Sequence, residues 1–226
     1  MTSINLGERL SVAASLIRRG AFVSDVGTDH AYLPIYLCLE GIARGGVVSD
    51  INEGPISRAR ENIEKYGLTG KLTAVCTPGL TTIDEYDPTD IMILGMGGEL
   101  IASILSDAPW TKNKDIRLCL QPMTHPELLR AFLLNNGYSI TDERLAKEDG
   151  RIYQIILATY TGDIEEWSPA ELLLGKINIE RGGKTLCELS KNICGVLSKR
   201  VSGIESSGAD ASETKELIEL IKKAVN

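Results

Sequence analysis

The sequence predicts an α/β fold: an open, mostly parallel sheet with a terminal antiparallel hairpin, followed by a C-terminal helical tail. Three observations lead there. Through residue 160, short β-rich apolar runs alternate with helical patterns. The last two runs, 138–144 and 152–160, follow one another with a Lys147-Glu148-Asp149-Gly150 turn signal between them. Past Gly162 no strand pattern recurs.

Taken in order, the parallel strands fall at residues 22–26, 46–49, 72–76, 91–94 and 117–120. Residues 55–66 form the cleanest intervening helix, because Pro55 suits a first helical position and Ile56, Ala59 and Ile63 recur on one face. Residues 126–135 form another, with Gly137 as its C-terminal cap. The two consecutive runs then read as a hairpin closing the sheet. In the tail, Leu173, Ile177, Leu186, Leu189, Ile193, Val196 and Leu197 predict a hairpin of two long helices, turning at Ser206-Ser207-Gly208 and returning over 213–225. The chain thus divides into a sheet domain over 1–162 and a helical tail over 163–226.

At 226 residues and 43% hydrophobic composition, the chain can bury a full α/β core and still carry an appendage. No apolar run reaches the roughly 18 residues of a membrane span, and residues 1–5 lack the features of a secretory signal, so a cytoplasmic location with no membrane link is expected. The five cysteines are odd in number and lack C-x-x-C spacing, so they read as reduced thiols. With His30 and His125 the only imidazoles, no metal site is expected. A net charge of −7 argues against wholesale nonspecific binding of nucleic acid. Yet residues 176–200 carry Lys176, Arg181, Lys184, Lys191, Lys199 and Arg200 against only Glu180 and Glu188. Such a segment is either a solvated helix face or an RNA contact.

Chemistry concentrates at the strand ends. Asp25-Val26-Gly27-Thr28-Asp29-His30-Ala31-Tyr32-Leu33-Pro34 follows the first strand directly, and Gly27 permits a tight turn where open α/β sheets bind ligands. The segment is not G-x-G-x-x-G, and its acidic residues make it a poor host for a pyrophosphate. It suits a cofactor bearing an amino group and a sulfonium charge, and S-adenosylmethionine bears both. The second strand ends in Ser49-Asp50-Ile51-Asn52, where Asp50 either accepts both hydroxyls of a ribose or caps the following helix. In Leu94-Gly95-Met96-Gly97-Gly98-Glu99, three glycines in four positions suggest that a ligand or reacting base approaches the backbone, where a mere turn would need one. Gln121, before Pro122, offers a donor and an acceptor to a base edge, or else caps the next helix.

These segments, with Glu148-Asp149-Gly150-Arg151-Ile152-Tyr153, resemble the bacterial TrmK family of tRNA adenine-22 N1-methyltransferases over essentially the whole chain. The resemblance implies a class I, Rossmann-like methyltransferase domain with a coiled-coil-like tail, S-adenosyl-L-methionine as donor and N1 of an adenosine (position 22) in tRNA as acceptor. It matches Asp25, Gly27, Asp29 and His30 to the cofactor loop and Asp50, Ile51 and Asn52 to the ribose corner. Gly95, Met96, Gly97 and Gly98 match the family's substitute for the Asn-Pro-Pro-aromatic motif of other adenine methyltransferases. Where such enzymes often place an acidic residue or Asn before Gly-Leu, this chain has Thr77-Pro78-Gly79-Leu80, which leaves a backbone amide near Gly79 and Leu80 to meet the cofactor's adenine ring.

Adenine N1 has an in-plane lone pair, so transfer demands alignment and desolvation more than a base, together with flipping of the target out of the folded RNA. The candidate catalytic residues are Asp29, stabilising charge that moves from sulfur to ring, Tyr32, stacking on the extruded adenine, and Gln121, reading its edge. The bland alternatives for Tyr32, Gln121 and the Gly95–Gly98 turn are a packed tyrosine, a helix cap and a tight turn. Arg9 and Arg18, near the first helix, join the six tail residues as expected tRNA contacts. The protein is expected to be a monomer or a weak dimer through the tail; if the tail dimerises as a coiled coil, its apolar stripe matters more than its charges. Rival readings are a methyltransferase of a small metabolite, a non-catalytic cofactor- or RNA-binding protein, and a nicotinamide-dependent oxidoreductase, the last disfavoured by the missing fingerprint.

Overall fold

In the computed structural model, which describes residues 4–225, the strands assemble into one seven-stranded sheet. Residues 1–3 and 226 lie outside the described residues, and with them most of the opening segment read for a secretory signal. The chain runs α1 (Glu8–Ser15), β1 (Ala21–Val26), α2 (Tyr32–Leu39), β2 (Ala43–Asp50), α3 (Glu53–Lys65), β3 (Leu72–Cys76) and β4 (Asp90–Gly97). It continues through α4 (Gly98–Ser106), β5 (Arg117–Thr124), α5 (Pro126–Asn135), β6 (Tyr138–Glu148) and β7 (Arg151–Tyr160) into the tail. Strand order is β3-β2-β1-β4-β5-β7-β6. Strands β1 to β5 pair in parallel, whereas β7 is antiparallel to both β5 and β6. The order reverses between β1 and β4, which opens a crevice beyond their carboxyl ends.

Each parallel crossover lays a helix on one face, so both faces are buried and the strands are apolar throughout. Val23, Val48, Met92 and Cys119 meet Ala14, Ile35 and Ile63 on one side. Val47, Ile91, Ile93, Leu118 and Leu120 meet Ile101, Leu105, Leu129 and Leu133 on the other. All five cysteines are free, and burial pushes the Cys119 thiol up to about 12, so it is an inert core residue.

Two elements differ from expectation. Strand β6 reaches Glu148 and β7 starts at Arg151, so the hairpin turns on Asp149 (φ +48°) and Gly150 (φ +75°) alone, the left-handed pair that a primed turn requires. Among the described residues the tail holds four helices rather than two: α6 (Pro169–Leu174), α7 (Lys176–Arg181), α8 (Lys184–Ser206) and α9 (Ser212–Ala224), with breaks at Gly175 and at Gly182-Gly183. The capping box of Ser168 and Glu171 starts α6. Leu174, Leu186, Leu189 and Ile221 form a third cluster that closes over Leu145 and Ile152 of the hairpin.

A buried ion pair ties tail to sheet. Arg130 of α5 donates through Nε to Glu143 Oε1 at 2.8 Å, through Nη1 to Leu172 O at 2.7 Å and through Nη2 to Gln154 Oε1 at 2.7 Å. Glu143 Oε2 in turn accepts from the Ile177 N–H at 3.0 Å. Among the described residues no helix is long and apolar enough to cross a membrane, and no cluster of three or more potential metal ligands occurs.

Candidate active site at the carboxyl edge of the sheet

The first loop is built by backbone hydrogen bonds before any side chain acts. The N–H groups of Gly27 and Thr28 both donate to Ser49 O, at 2.8 and 3.0 Å, which draws the loop over the end of β2. Gly27 has φ +78°, and a Cβ there would collide with Met96 Cε. The neck between the ends of β1 and β4 thus turns on a left-handed backbone that favours glycine, with the flexible end of Met96 lying against it.

Two lobes open from this neck. The larger, about 430 Å³, is lined by Asp50, Ile51, Pro78, Gly79, Leu80 and Ile104, among others. The smaller, about 180 Å³, is lined by Arg9, Asp25, Thr28, Asp29, His30 and Tyr32, among others. Gly27 belongs to both. Apolar walls with a few convergent polar groups are the usual make-up of a small-molecule site.

Asp25 closes the floor of the smaller lobe. Burial pushes its carboxyl up to about 6, against the hydrogen bond from Thr28 and the attraction of Arg9, which lower it. Asp50 Oδ1 accepts the Asn52 N–H at 2.7 Å in the turn before α3, whose N-cap is Asn52, and the residue lines the larger lobe. Ile51 lines the same lobe, whereas Asn52 is exposed outside it.

Asp29 stands at the rim with its side chain 63% exposed, paired with Arg58 and 3.2 Å from His30 Nε2. The Arg58 guanidinium holds its carboxyl below the usual range. Tyr32 is 43% exposed and stacks on His30.

Several expectations are corrected. Gln121 does not face a base: it is fully buried, its Oε1 accepts from Arg9 Nη1 at 2.8 Å and its Nε2 donates to Pro122 O at 2.8 Å. Alternation along β5 turns it toward α1, where both amide functions are engaged. The glycine run after β4 divides by role. Met96 walls the larger lobe, and Gly95 (φ +84°) lies near Arg9, but Gly97 and Gly98 line neither lobe. A Cβ on Gly98 would collide with the His125 carbonyl, so packing of α4 against the β5–α5 loop accounts for it.

Arg18 lies at the opposite edge of the sheet, where it grips the Asp90 carboxylate and the Thr89 and Asp115 carbonyls as a structural clamp. Arg181 is likewise engaged, with Asp142 and the Glu143 carbonyl, and Lys176 lies 5.8 Å from the Trp167 ring centroid. Lys184, Lys191, Lys199 and Arg200 remain exposed along α8, with Lys184 and Lys191 two turns apart on one face. Arg9 belongs to the smaller lobe itself, 5.6 Å from the Tyr153 ring centroid and 4.0 Å from Glu148.

The sequence reading missed the wall that α4 contributes through Leu100, Ser103 and Ile104. Its signal was present as helical spacing after the glycine run, but such a stripe normally marks core.

A methyltransferase-domain family model matches residues 6–156. The tRNA (adenine(22)-N(1))-methyltransferase of Bacillus subtilis is 37% identical over 158 residues, which span 70% of this chain and 66% of that enzyme. The crystal structure of the B. subtilis m1A22 tRNA methyltransferase TrmK superposes with a TM-score of 0.87 at 31% identity, covering 98% of this chain and 99% of that one. A Streptococcus pneumoniae chain assigned as a tRNA (m1A22) methyltransferase, in complex with S-adenosyl-L-methionine, gives 0.88 at 28% identity and covers 98% and 100%.

Proposed function

The chain belongs to the methyltransferase-domain family and, within it, to the tRNA (adenine(22)-N(1))-methyltransferases, and on that premise we propose that it transfers a methyl group from S-adenosyl-L-methionine to N1 of adenosine 22 in tRNA. The observation that carries the reading is the two-lobed groove at the topological switch point, apolar on one side of the Gly27–Met96 neck and acidic on the other.

The residues present suit this donor. Asp50 would accept the ribose hydroxyls, Leu80, Ile104 and Ile51 would flank the purine, and amides near Gly79 and Leu80 would meet its edge. Asp25 would hold the amino acid end of the cofactor, which would supply an electrophilic methyl group. Asp25 is enclosed enough to act on positive charge at close range, whereas Asp29, exposed and already paired with Arg58, is screened. The electrostatic part foreseen for Asp29 therefore passes to Asp25.

Tyr32 stacks on the extruded adenine at the mouth of the smaller lobe, and the two lobes align N1 with the methyl carbon. No side chain need remove a proton, because N1 attacks with its own lone pair. Exposed Lys184, Lys191, Lys199 and Arg200 on α8, with Arg9 in the lobe, supply the tRNA contacts. The division at residues 162 and 163, a coiled-coil character of the tail, a cytoplasmic location and an enzyme that is a monomer or a weak dimer through the tail complete the proposal.

The test is transfer of label from S-adenosyl-L-methionine to unmodified tRNA, followed by nuclease digestion. Label in 1-methyladenosine, lost when adenosine 22 is replaced by guanosine, is the expected result. Cofactor binding without label in any tRNA would leave a small-metabolite or binding-only function.

A further inference from the structure

Residues i and i+2 of an extended segment point to the same side but stand roughly 6.6 Å apart, two strand rises. The rings of His30 and Tyr32 nevertheless lie face to face, 5.2 Å between centroids and 15° between planes. The residue between them produces this arrangement. Ala31 has φ +57°, its N–H donates to Thr28 Oγ1 at 3.1 Å, and it is 1% exposed, so the chain turns there and brings the two rings closer than an extended segment would. A non-glycine residue in that region costs on the order of 1 kcal/mol, and such strain persists only where surrounding contacts hold it.

The imidazole is also fixed from outside. Asp29 lies between His30 Nε2 and the Arg58 guanidinium, and Asn62 Nδ2 donates to the His30 carbonyl at 3.0 Å. Arg58 and Asn62 both sit on α3, one turn apart. The loop between β1 and α2 is thus tethered to the helix that follows the ribose corner. One face of Tyr32 is taken by His30, and the ring remains open at the lobe mouth.

We infer that His30 is a positioning residue for the acceptor base: stacked on Tyr32 and tethered through Asp29, Arg58 and Asn62 to α3, it holds the tyrosine ring as a preformed stacking surface. This rests on the proposed role of Tyr32. His30 then acts through Tyr32 and not through the cofactor, whose binding is the readout that separates the two.

The experiment uses the full chain, unmodified tRNA transcript, and the same transcript carrying 2-aminopurine at the target position. His30→Ala is expected to lower kcat by about tenfold, the scale of one aromatic pair, with the calorimetric Kd for S-adenosyl-L-methionine unchanged. The quench of 2-aminopurine on binding is expected to weaken in that variant. His30→Phe restores most of both, because it keeps the stack without the Asp29 contact. A Kd that rises in step with the loss of kcat would make His30 a cofactor residue, and a His30→Phe variant as impaired as His30→Ala would show that the ring stack is not what matters. Tyr32→Ala is the separate control: wild-type turnover there removes the Tyr32 reading itself, and retained cofactor binding in every variant reports an intact fold.

Discussion

Above about pH 6, Asp25 is ionised in an interior that favours its protonated form, since burial lifts its carboxyl from the ordinary 3.8 to about 6. The difference corresponds to ~3 kcal/mol of stability missing at neutral pH, taken as an upper figure. The sign follows from proton counting. Between the two values the folded chain keeps a proton that the unfolded chain has released, so the Asp25 contribution is most favourable below about pH 4, declines as pH rises through 6 and is level above it. Asp25→Asn keeps the shape of the side chain and cannot ionise. At pH 7.5 the ligand-free variant should therefore be more stable than the parent by ~1–3 kcal/mol, a gain that shrinks as pH falls toward 4. Urea denaturation at pH 7.5 and 4.5 measures it as a raised midpoint at unchanged slope. In the same variant the affinity for S-adenosyl-L-methionine at pH 7.5 should fall by about tenfold or more, because a charge-assisted hydrogen bond is lost. A variant equally stabilised at both pH values, or not at all, refutes the burial argument. One that is stabilised but binds the cofactor as before shows that Asp25 is not the partner of the amino group.

Gly27→Ala combines a left-handed backbone with a collision at Met96 Cε, and should reduce cofactor affinity by calorimetry at least about tenfold; unchanged affinity would place the binding path elsewhere. Replacing Lys191 and Lys199 together by Glu should weaken tRNA binding and flatten its salt dependence by about 0.7–0.9 per lost phosphate contact, whereas Arg18→Ala should lower the Tm and leave that slope alone. The opposite pattern would return Arg18 to the RNA surface. Arg130→Met strips one partner from a fully buried ion pair and should cost ~3–5 kcal/mol in urea denaturation; a loss under about 1 kcal/mol would mean that water reaches Glu143.

Which parts of this molecule were legible in the sequence follows from the range over which each is determined. Strands β1 to β5, α3, α5 and the closing hairpin are written in local periodicity, and the observed α5 has the expected bounds. The segments after β1, β2 and β4 could be picked out as candidate site elements because glycines and acidic residues gather there at strand ends, although Gly98 proves to serve packing. The partners of individual side chains were not legible. Gln121 and Arg9 are 112 residues apart in sequence, and nothing local says that the amide turns inward to the guanidinium rather than outward to a base. Arg18 and Arg181 read as free cations because their acceptors, Asp90 and Asp142, lie on strands whose neighbours only the sheet order reveals. The same holds for the fragmentation of the tail, where the glycines were visible but the hairpin against which α6 and α7 pack was not.

Backbone strain and anchoring are separated across the sheet. Five non-glycine residues among those described have left-handed backbones, and four of them, Ala31, Thr82, His125 and Asp149, follow the carboxyl ends of β1, β3 and β5 or turn the hairpin beside Glu148. At roughly 1–2 kcal/mol each, these conformations are tolerable only if the elements they join are fixed elsewhere. The opposite edge supplies that fixation. Arg18 binds Asp90 and two carbonyls there, and Thr89 donates to and accepts from the backbone of Phe22, so the approach to β4 is closed by ordinary hydrogen bonds. One edge of the sheet can therefore hold a charged Asp25, a stacked His30–Tyr32 pair and a left-handed turn at Gly27, because the other edge and the apolar layers between them leave the strands little freedom to relax. A substitution at the Arg18 clamp should accordingly act on the site only through stability, and one at the neck should act on binding before stability.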